Sequence, residues 1–171
     1  MKENITLIGF MGTGKTSIGK RLAEKFNKEF IDLDGLIEKQ TNKSILEIFK
    51  EGESKFRELE KKNINMLKYK RNFVLSCGGG VILNNENMKT LQQISTIILL
   101  EATKETIFKH IIKDGKEKRP LLNKEDPKKE IGDILRIRKP LYDKFASFRI
   151  IIDDKSIKEV INEIIEILGN I

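Results

Sequence analysis

Residues 9–16 read Gly-Phe-Met-Gly-Thr-Gly-Lys-Thr and match the phosphate-binding loop (P-loop) pattern G-x-x-x-x-G-K-[ST]. Glycine allows such a loop to curl tightly and to turn its backbone N–H groups towards a phosphate chain. An apolar run precedes the loop at residues 5–8, and a helical pattern follows at residues 15–26. This context predicts that nucleotide phosphates bind between a strand end and a helix N-terminus.

Two side chains of this loop carry chemistry. Lys15 supplies a positive charge for the β- and γ-phosphates, and the hydroxyl of Thr16 is a ligand for Mg²⁺. A plain glycine turn would not account for a lysine and a threonine at these positions. The predicted ATP-binding residues of the loop are Gly12, Thr13, Gly14, Lys15, Thr16 and Ser17.

The rest of the chain alternates short aliphatic runs with longer helical patterns. The predicted strands are residues 5–8, 30–33, 73–76, 96–100 and 149–152. The predicted helices are residues 15–26, 44–50, 53–70, 86–93, 104–113, 129–145 and 156–168. Such alternation predicts an α/β protein with a parallel sheet, in which ligands bind beyond the carboxyl ends of the strands.

Composition narrows the class of protein. A length of 171 residues suits one domain, and no apolar run approaches the roughly 18 residues of a membrane span. The single cysteine, Cys77, excludes an internal disulfide and favours a reducing compartment, so we expect a cytoplasmic location. The net charge of +7 would suit an anionic partner, but an aromatic content of 6% without Trp argues against nucleic acid.

Two carboxylates, Asp32 and Asp34, follow the second predicted strand. If the strand continues, both side chains lie on one face. One carboxylate can then hold the waters of a Mg²⁺ ion, and the other can accept a proton from a hydroxyl that attacks the γ-phosphate. A helix N-cap at Asp34 is the alternative, and the residues alone leave both open.

Three successive glycines, residues 78–80, end the third predicted strand. Ordering three glycines costs more backbone entropy than ordering other residues, and a ligand that lies against bare backbone would explain their presence. A flexible turn is the alternative. We interpret the neighbouring Cys77 as a small buried residue rather than a nucleophile. The only histidine, His110, falls in a predicted helix without an evident acid–base partner, so we expect it to be incidental.

Four arginines stand out in a lysine-rich chain, namely Arg57, Arg119, Arg136 and Arg138. Arginine is suited to planar, bidentate recognition of carboxylate or phosphate. A surface salt bridge is the alternative for each arginine taken singly. Together with the P-loop and the aspartates, they indicate an anionic, hydroxyl-bearing substrate and a lid around Arg119.

Two short motifs suggest a GTPase instead. Residues 32–35 fit D-x-x-G, and residues 123–126 fit the guanine-binding pattern N-K-x-D. The spacing between Thr16 and Asp32 leaves no room for a switch segment and an extra strand, and Asn123 does not follow a predicted strand. A basic protein that binds ATP only structurally is a further alternative.

Taken together, these motifs resemble the shikimate kinase family of P-loop kinases. The matching stretches occur in the family's order over nearly the whole chain and are residues 9–19, 32–34, 56–60, 78–81, 119–122 and 138–142. The resemblance implies a three-layer P-loop NTPase fold with a five-stranded parallel sheet in the order 2-3-1-4-5, flanked by helices. It also implies a single domain, residues 1–171, with a substrate-binding helical region at about residues 33–60 and a lid at about residues 112–125.

The resemblance further implies the reaction and the site. The reaction is ATP-dependent phosphorylation of the shikimate 3-hydroxyl with Mg²⁺ as cofactor, within aromatic amino acid biosynthesis. The small molecules ATP and shikimate are the expected partners of a monomeric enzyme, and a kinase for another sugar acid such as gluconate is the alternative. The family's adenine-side arginine has no evident counterpart, because Ile112, Lys113 and Lys116 occupy that stretch.

Residue roles carried over from the family are as follows. Asp34 contacts the shikimate hydroxyls and is the candidate base, while Arg57 and Arg138 bind the carboxylate. Gly79 and Gly80 offer backbone N–H groups to the ring substituents. The implied catalytic residues are Lys15, Asp34 and Arg119, of which Arg119 also contacts ATP from the lid, and the implied metal-binding residues are Thr16 and Asp32.

Overall fold

The structure is a computed structural model that describes residues 2–114 and 126–169. The strands in this part of the chain are β1 (Asn4–Ile8), β2 (Glu29–Asp32), β3 (Phe73–Ser76), β4 (Ser95–Glu101) and β5 (Phe148–Ile151). The helices are α1 (Lys15–Phe26), α2 (Leu33–Thr41), α3 (Ile45–Glu51), α4 (Glu53–Met66), α5 (Asn85–Ile94), α6 (Lys104–Asp114), α7 (Pro127–Phe145) and α8 (Ile157–Gly169). Short 3₁₀ turns lie at Leu67–Tyr69 and Val81–Leu83.

The five strands form one parallel sheet in the order β2-β3-β1-β4-β5, which confirms the predicted fold. In the register of the central strands, Leu7 of β1 lies beside Ser76 of β3 and Ile98 of β4. All carboxyl ends therefore lie at one edge, where the P-loop, the aspartates and the glycines follow their strands.

Helices cover both faces of the sheet and produce three layers. One buried cluster joins Leu7 and Val74 to Leu22 of α1 and Ile164 of α8. The other joins residues of the opposite face, including Leu75, to α4, α5 and the end of α7. Burying each such side chain contributes about 1.5–3 kcal/mol, so the sheet is a rigid base for the loops at its edge.

The main difference from the sequence prediction is the start of α2, a helix that the sequence analysis gave only as an open alternative, capped at Asp34. We predicted that the second strand extends through Leu33, but β2 ends at Asp32 and α2 begins at once. The side chain of Asp32 is the N-cap, accepting a hydrogen bond from the Gly35 N–H at 3.2 Å. The condition that the strand continues past Asp32 is therefore not met, and the cap of this helix is Asp32 rather than Asp34.

Candidate active site

The P-loop connects β1 to α1 with a backbone that requires glycine. Gly12 and Gly14 have φ angles of +78° and +77°, a region that residues with a side chain rarely adopt. The loop borders a cavity of about 200 Å³ that is also lined by Lys15, Thr16 and Asp32. A polar cavity at a helix N-terminus is suited to a phosphate chain.

Lys15 is buried at the base of this loop. Its Nζ donates hydrogen bonds to the carbonyl oxygens of Gly9 at 2.8 Å and Phe10 at 2.7 Å. The hydroxyl of Thr13 donates to the same Phe10 carbonyl at 2.8 Å. These contacts keep a positive charge beside the phosphate cavity.

Thr16 and Asp32 form the part of the site that suits a metal ion. The Thr16 hydroxyl donates to Oδ2 of Asp32 at 2.9 Å. Among residues 2–114 and 126–169, no group of three or more His, Cys, Asp and Glu side chains could hold a metal alone. Mg²⁺ is usually bound by one or two protein oxygens together with substrate phosphates and waters, so this hydroxyl–carboxylate pair fits that ion.

Asp34 lies in the first turn of α2, with its carboxylate against the glycines after β3. A Cβ atom at Gly78 would lie 3.0 Å from Oδ1 of Asp34. This Oδ1 is buried and has no hydrogen-bond partner within the described part of the chain. Burial, helped by repulsion from Asp32 and opposed by Lys15, raises the pKa of Asp34 to about 6.

A second cavity, of about 390 Å³, adjoins the phosphate cavity. Its charged lining includes Asp34, Arg57, Glu60 and Arg138, and Phe49 supplies apolar wall. The two cavities share the lining residues Met11, Asp34, Gly78 and Gly79. Asp34 therefore stands where a nucleotide phosphate and a second small molecule would meet.

Two arginines reach the second cavity from different helices. Arg57 of α4 donates to both carboxylate oxygens of Glu60 at 3.2 Å and to Glu53 at 2.9 Å. Arg138 of α7 is only 8% exposed and donates from Nη1 to the carbonyl of Gly79 at 3.1 Å. Such a pair of guanidinium groups is suited to a small carboxylate.

The three glycines after β3 provide space for these side chains. A Cβ atom at Gly80 would lie 2.5 Å from Nη2 of Arg57, and one at Gly79 would lie 3.3 Å from the backbone nitrogen of Met11. Their φ angles lie outside the left-handed region. The glycines are therefore required for close approach rather than for backbone conformation.

The structure adds two site residues that the sequence analysis missed. Glu60 is fully buried beside Arg57, and burial raises its pKa to about 7 although Arg57 opposes the rise. The Tyr142 hydroxyl donates to the Gly79 carbonyl at 2.6 Å. The sequence contained one signal for both residues, the spacing within a helix. Glu60 follows Arg57 by three residues and Tyr142 follows Arg138 by four, so each lies on the same helix face as its arginine.

Other predicted residues have different positions. Arg136 is exposed and pairs with Asp133 at 3.4 Å. Arg119 lies outside the described residues, as does most of the predicted lid. His110, which we expected to be incidental, has its Nδ1 2.7 Å from the carbonyl oxygen of Gly12. Cys77 is buried, as expected, and burial raises the pKa of its thiol.

Both aspartates of the GTPase-like motifs cap helices. Asp126 accepts a hydrogen bond from the Lys129 N–H at 3.1 Å, and Asp32 caps α2 as described. Only α1 and β2 lie between the P-loop and Asp32, which leaves no room for a switch segment. These contacts disfavour the GTPase interpretation.

Comparisons with known proteins agree on one family. The family model for shikimate kinase matches residues 11–169. A shikimate kinase of Caldanaerobacter subterraneus subsp. tengcongensis is 46% identical over 95% of this chain and 94% of its own length. A solved shikimate kinase from Acinetobacter baumannii in complex with shikimate has a TM-score of 0.92 at 36% identity, covering 99% of this chain and 95% of the other.

A more distant structure bears on the gluconate alternative. A gluconokinase from Sinorhizobium meliloti has a TM-score of 0.66 at 14% identity, covering 99% of this chain and 93% of the other. This likeness shows a shared fold alone. The identity of this chain to shikimate kinases is about three times higher.

Proposed function

Because the chain belongs to the shikimate kinase family, we propose that it transfers the γ-phosphoryl group of ATP to the 3-hydroxyl of shikimate. The products are 3-phosphoshikimate and ADP. The observation that carries this proposal is the junction of the phosphate cavity and the second cavity at Asp34. The products place the enzyme in aromatic amino acid biosynthesis.

The second cavity binds shikimate. Arg57 and Arg138 pair with its carboxylate, since two guanidinium groups offer several donors in fixed planes. The backbone N–H groups of Gly79 and Gly80 contact the ring substituents, which requires that no side chain intervenes. Glu60 keeps Arg57 in place through its two hydrogen bonds.

Asp34 is the candidate base. The attacking hydroxyl loses a proton as the new P–O bond forms, and Asp34 accepts it through a carboxylate oxygen. A pKa of about 6 leaves the carboxylate mostly ionised at neutral pH, yet basic enough to take up a proton. Asp34 lines both cavities, so a hydroxyl of a molecule in the second cavity can approach its carboxylate.

The P-loop binds the triphosphate through the backbone N–H groups of residues 12–17, and the side chains of Lys15, Thr16 and Ser17 line the phosphate cavity. Thr16 and Asp32 would hold Mg²⁺. The ion neutralises charge on the phosphate oxygens when it is bound. Stabilising that charge is the main catalytic task in phosphoryl transfer.

Arg119 completes the proposed machinery. It lies outside the described residues, in the proposed lid of about residues 112–125. There it contacts ATP and the transferring phosphate while the lid excludes water, a competing acceptor. We expect Arg119→Ala to lower kcat by about 10³-fold, the lower end of the range for an arginine finger.

The remaining proposals concern the molecule as a whole. Residues 1–171 act as a single domain, and the enzyme acts as a monomer. It acts on small molecules in the cytoplasm. In the part of the chain that the structure describes, no helix has the length and apolar character needed to cross a bilayer.

An ADP-release assay tests the function. We expect turnover with ATP and shikimate, and only background release with gluconate, without acceptor or with GTP in place of ATP. Lys15→Ala should abolish turnover. Equal turnover with gluconate and shikimate would contradict the proposed substrate, and release that needs no acceptor would indicate an ATPase.

A further inference from the structure

His110, the only histidine of the chain, links α6 to the P-loop. Its Nδ1 lies 2.7 Å from the carbonyl oxygen of Gly12. A carbonyl oxygen can only accept, so Nδ1 carries the hydrogen and donates it. The contact therefore fixes both the ring orientation and the position of the ring proton.

This hydrogen bond sets the direction of one peptide group in the loop. The Gly12 carbonyl and the Thr13 N–H belong to the same trans peptide and point in opposite directions. Holding the carbonyl towards α6 therefore points the Thr13 N–H away from α6. Backbone N–H groups of such loops are the donors that bind phosphate oxygens.

Apolar packing at the same point supports the link. A Cβ atom at Gly12 would lie 3.2 Å from Cγ1 of Ile111 and 3.3 Å from the carbonyl oxygen of Ile107, so α6 lies directly against the loop. Ile107 and Ile111 belong to the hydrophobic core, which fixes the helix in place. His110 therefore lies on a helix, α6, that the core holds in a fixed position.

We propose that His110 is a positioning residue that holds the Gly12–Thr13 peptide in the orientation that binds the nucleotide phosphates. The inference rests on the proposed function, since it assigns the loop to ATP. His110 acts through Gly12 and does not touch the reacting atoms. Its loss should weaken nucleotide binding more than shikimate binding.

Three substitutions test this role. His110→Asn places an amide N–H near the position of Nδ1, His110→Gln places one near Nε2, and His110→Leu removes the donor. Kinetics give KM for ATP and for shikimate, and calorimetry gives Kd for ADP. Lys109→Ala, an exposed neighbour on α6, is the control, and we expect it to behave as the wild type.

We expect His110→Leu and His110→Gln to raise KM for ATP and Kd for ADP about five- to tenfold, with KM for shikimate within twofold. His110→Asn should recover most of the affinity. The opposite order, with affinity kept by Gln and lost by Asn, would overturn the proposal, as would equal effects on both substrates. If His110→Leu does not fold, the Asn and Gln pair still decides.

Binding of ADP separates this inference from the proposed function. If the wild type bound ADP without phosphorylating shikimate, the proposed function would fail, yet the order of the three variants would still test His110. If shikimate were phosphorylated and all three variants bound ADP as the wild type does, only the role of His110 would be refuted.

Discussion

The hydroxyl of Tyr142 lies 2.6 Å from the carbonyl oxygen of Gly79 and donates a hydrogen bond to it. Arg138, one helical turn earlier on α7, donates to the same oxygen at 3.1 Å. Two donors thus hold the peptide between Gly79 and Gly80. Because carbonyl and N–H point in opposite directions across a trans peptide, the Gly80 N–H is directed away from α7.

Tyr142→Phe should therefore weaken shikimate binding. It removes one of the two donors without changing the volume of the side chain, and the lost hydrogen bond is worth about 1 kcal/mol. We expect KM for shikimate to rise about three- to tenfold while KM for ATP stays unchanged. The matched control is Tyr69→Phe, at the other tyrosine, which is 89% exposed. An unchanged KM for shikimate would show that this contact does not act on the acceptor site.

Asp34→Asn should remove most of the activity. The amide cannot accept the proton of the attacking hydroxyl, and loss of a general base typically costs 10²–10⁴-fold. We expect kcat to fall within that range while Kd for ADP, measured by calorimetry, stays unchanged. Asp133→Asn, at a half-exposed carboxylate, is the control. A fall in kcat of less than tenfold would exclude Asp34 as the base.

The same substitution should stabilise the fold at neutral pH. The pKa of Asp34 is raised from 3.8 to about 6 by burial, so the folded state holds the proton more tightly than the unfolded chain. The charged carboxylate therefore costs stability above pH 6, and the cost disappears as the pH falls towards 3.8. Each pKa unit corresponds to about 1.4 kcal/mol.

Denaturant unfolding of the wild type and Asp34→Asn checks this. We expect the variant to be more stable by about 1–3 kcal/mol at pH 8, and the gain to vanish near pH 4. A gain that is equal at both pH values would mean that titration of Asp34 is not its cause.

The pH dependence of catalysis should show an acid limb. Phosphorylation of shikimate requires ionised Asp34 as the base and ionised Glu60 beside Arg57. Burial raises the pKa of Asp34 to about 6 and that of Glu60 to about 7. Repulsion from Asp34 makes a smaller contribution to the raised pKa of Glu60. We therefore expect kcat/KM for shikimate to fall as the pH is lowered through 7 and 6. A profile that stays flat down to pH 5 would contradict these assignments.

Gly80→Ala should disturb Arg57 without unfolding the chain. The added methyl group would lie 2.5 Å from Nη2 of Arg57, the mobile end of a long side chain that can shift. We expect KM for shikimate to rise at least tenfold with little loss of stability. Gly132→Ala, in α7 with open space around its Cα, is the control and should gain about 0.5–1 kcal/mol. An unchanged KM in Gly80→Ala would refute the proposed contact.

The fold was predictable because its determinants are local. Strand–helix alternation and the P-loop predict a parallel sheet, and family resemblance supplies the strand order that the structure confirms. The start of α2 was misplaced because the predicted strand extended through Leu33, whereas Asp32, the last residue of β2, caps a helix that begins at the next residue. The capping hydrogen bond depends on the position of the Gly35 N–H, and the sequence of apolar and polar residues does not show that position.

Residues of the candidate site could be predicted from the sequence where the residue type, in its motif, indicates one kind of interaction with a ligand. Lys15 and the three glycines after β3 belong to that class. His110 and Tyr142 do not, because their roles depend on which backbone carbonyl each side chain reaches across the fold. Glu60 is similar, since its raised pKa follows from burial that only the packed structure reveals.

A crystal structure with ADP and shikimate tests the central claim most directly. The claim is that Asp34 stands between the two bound substrates. We predict the shikimate carboxylate within hydrogen-bond distance of Arg57 and Arg138, and a ring hydroxyl within about 3.0 Å of an Asp34 oxygen, the usual limit for an O–H···O bond. Shikimate bound elsewhere, with Asp34 contacting no hydroxyl, would contradict the account.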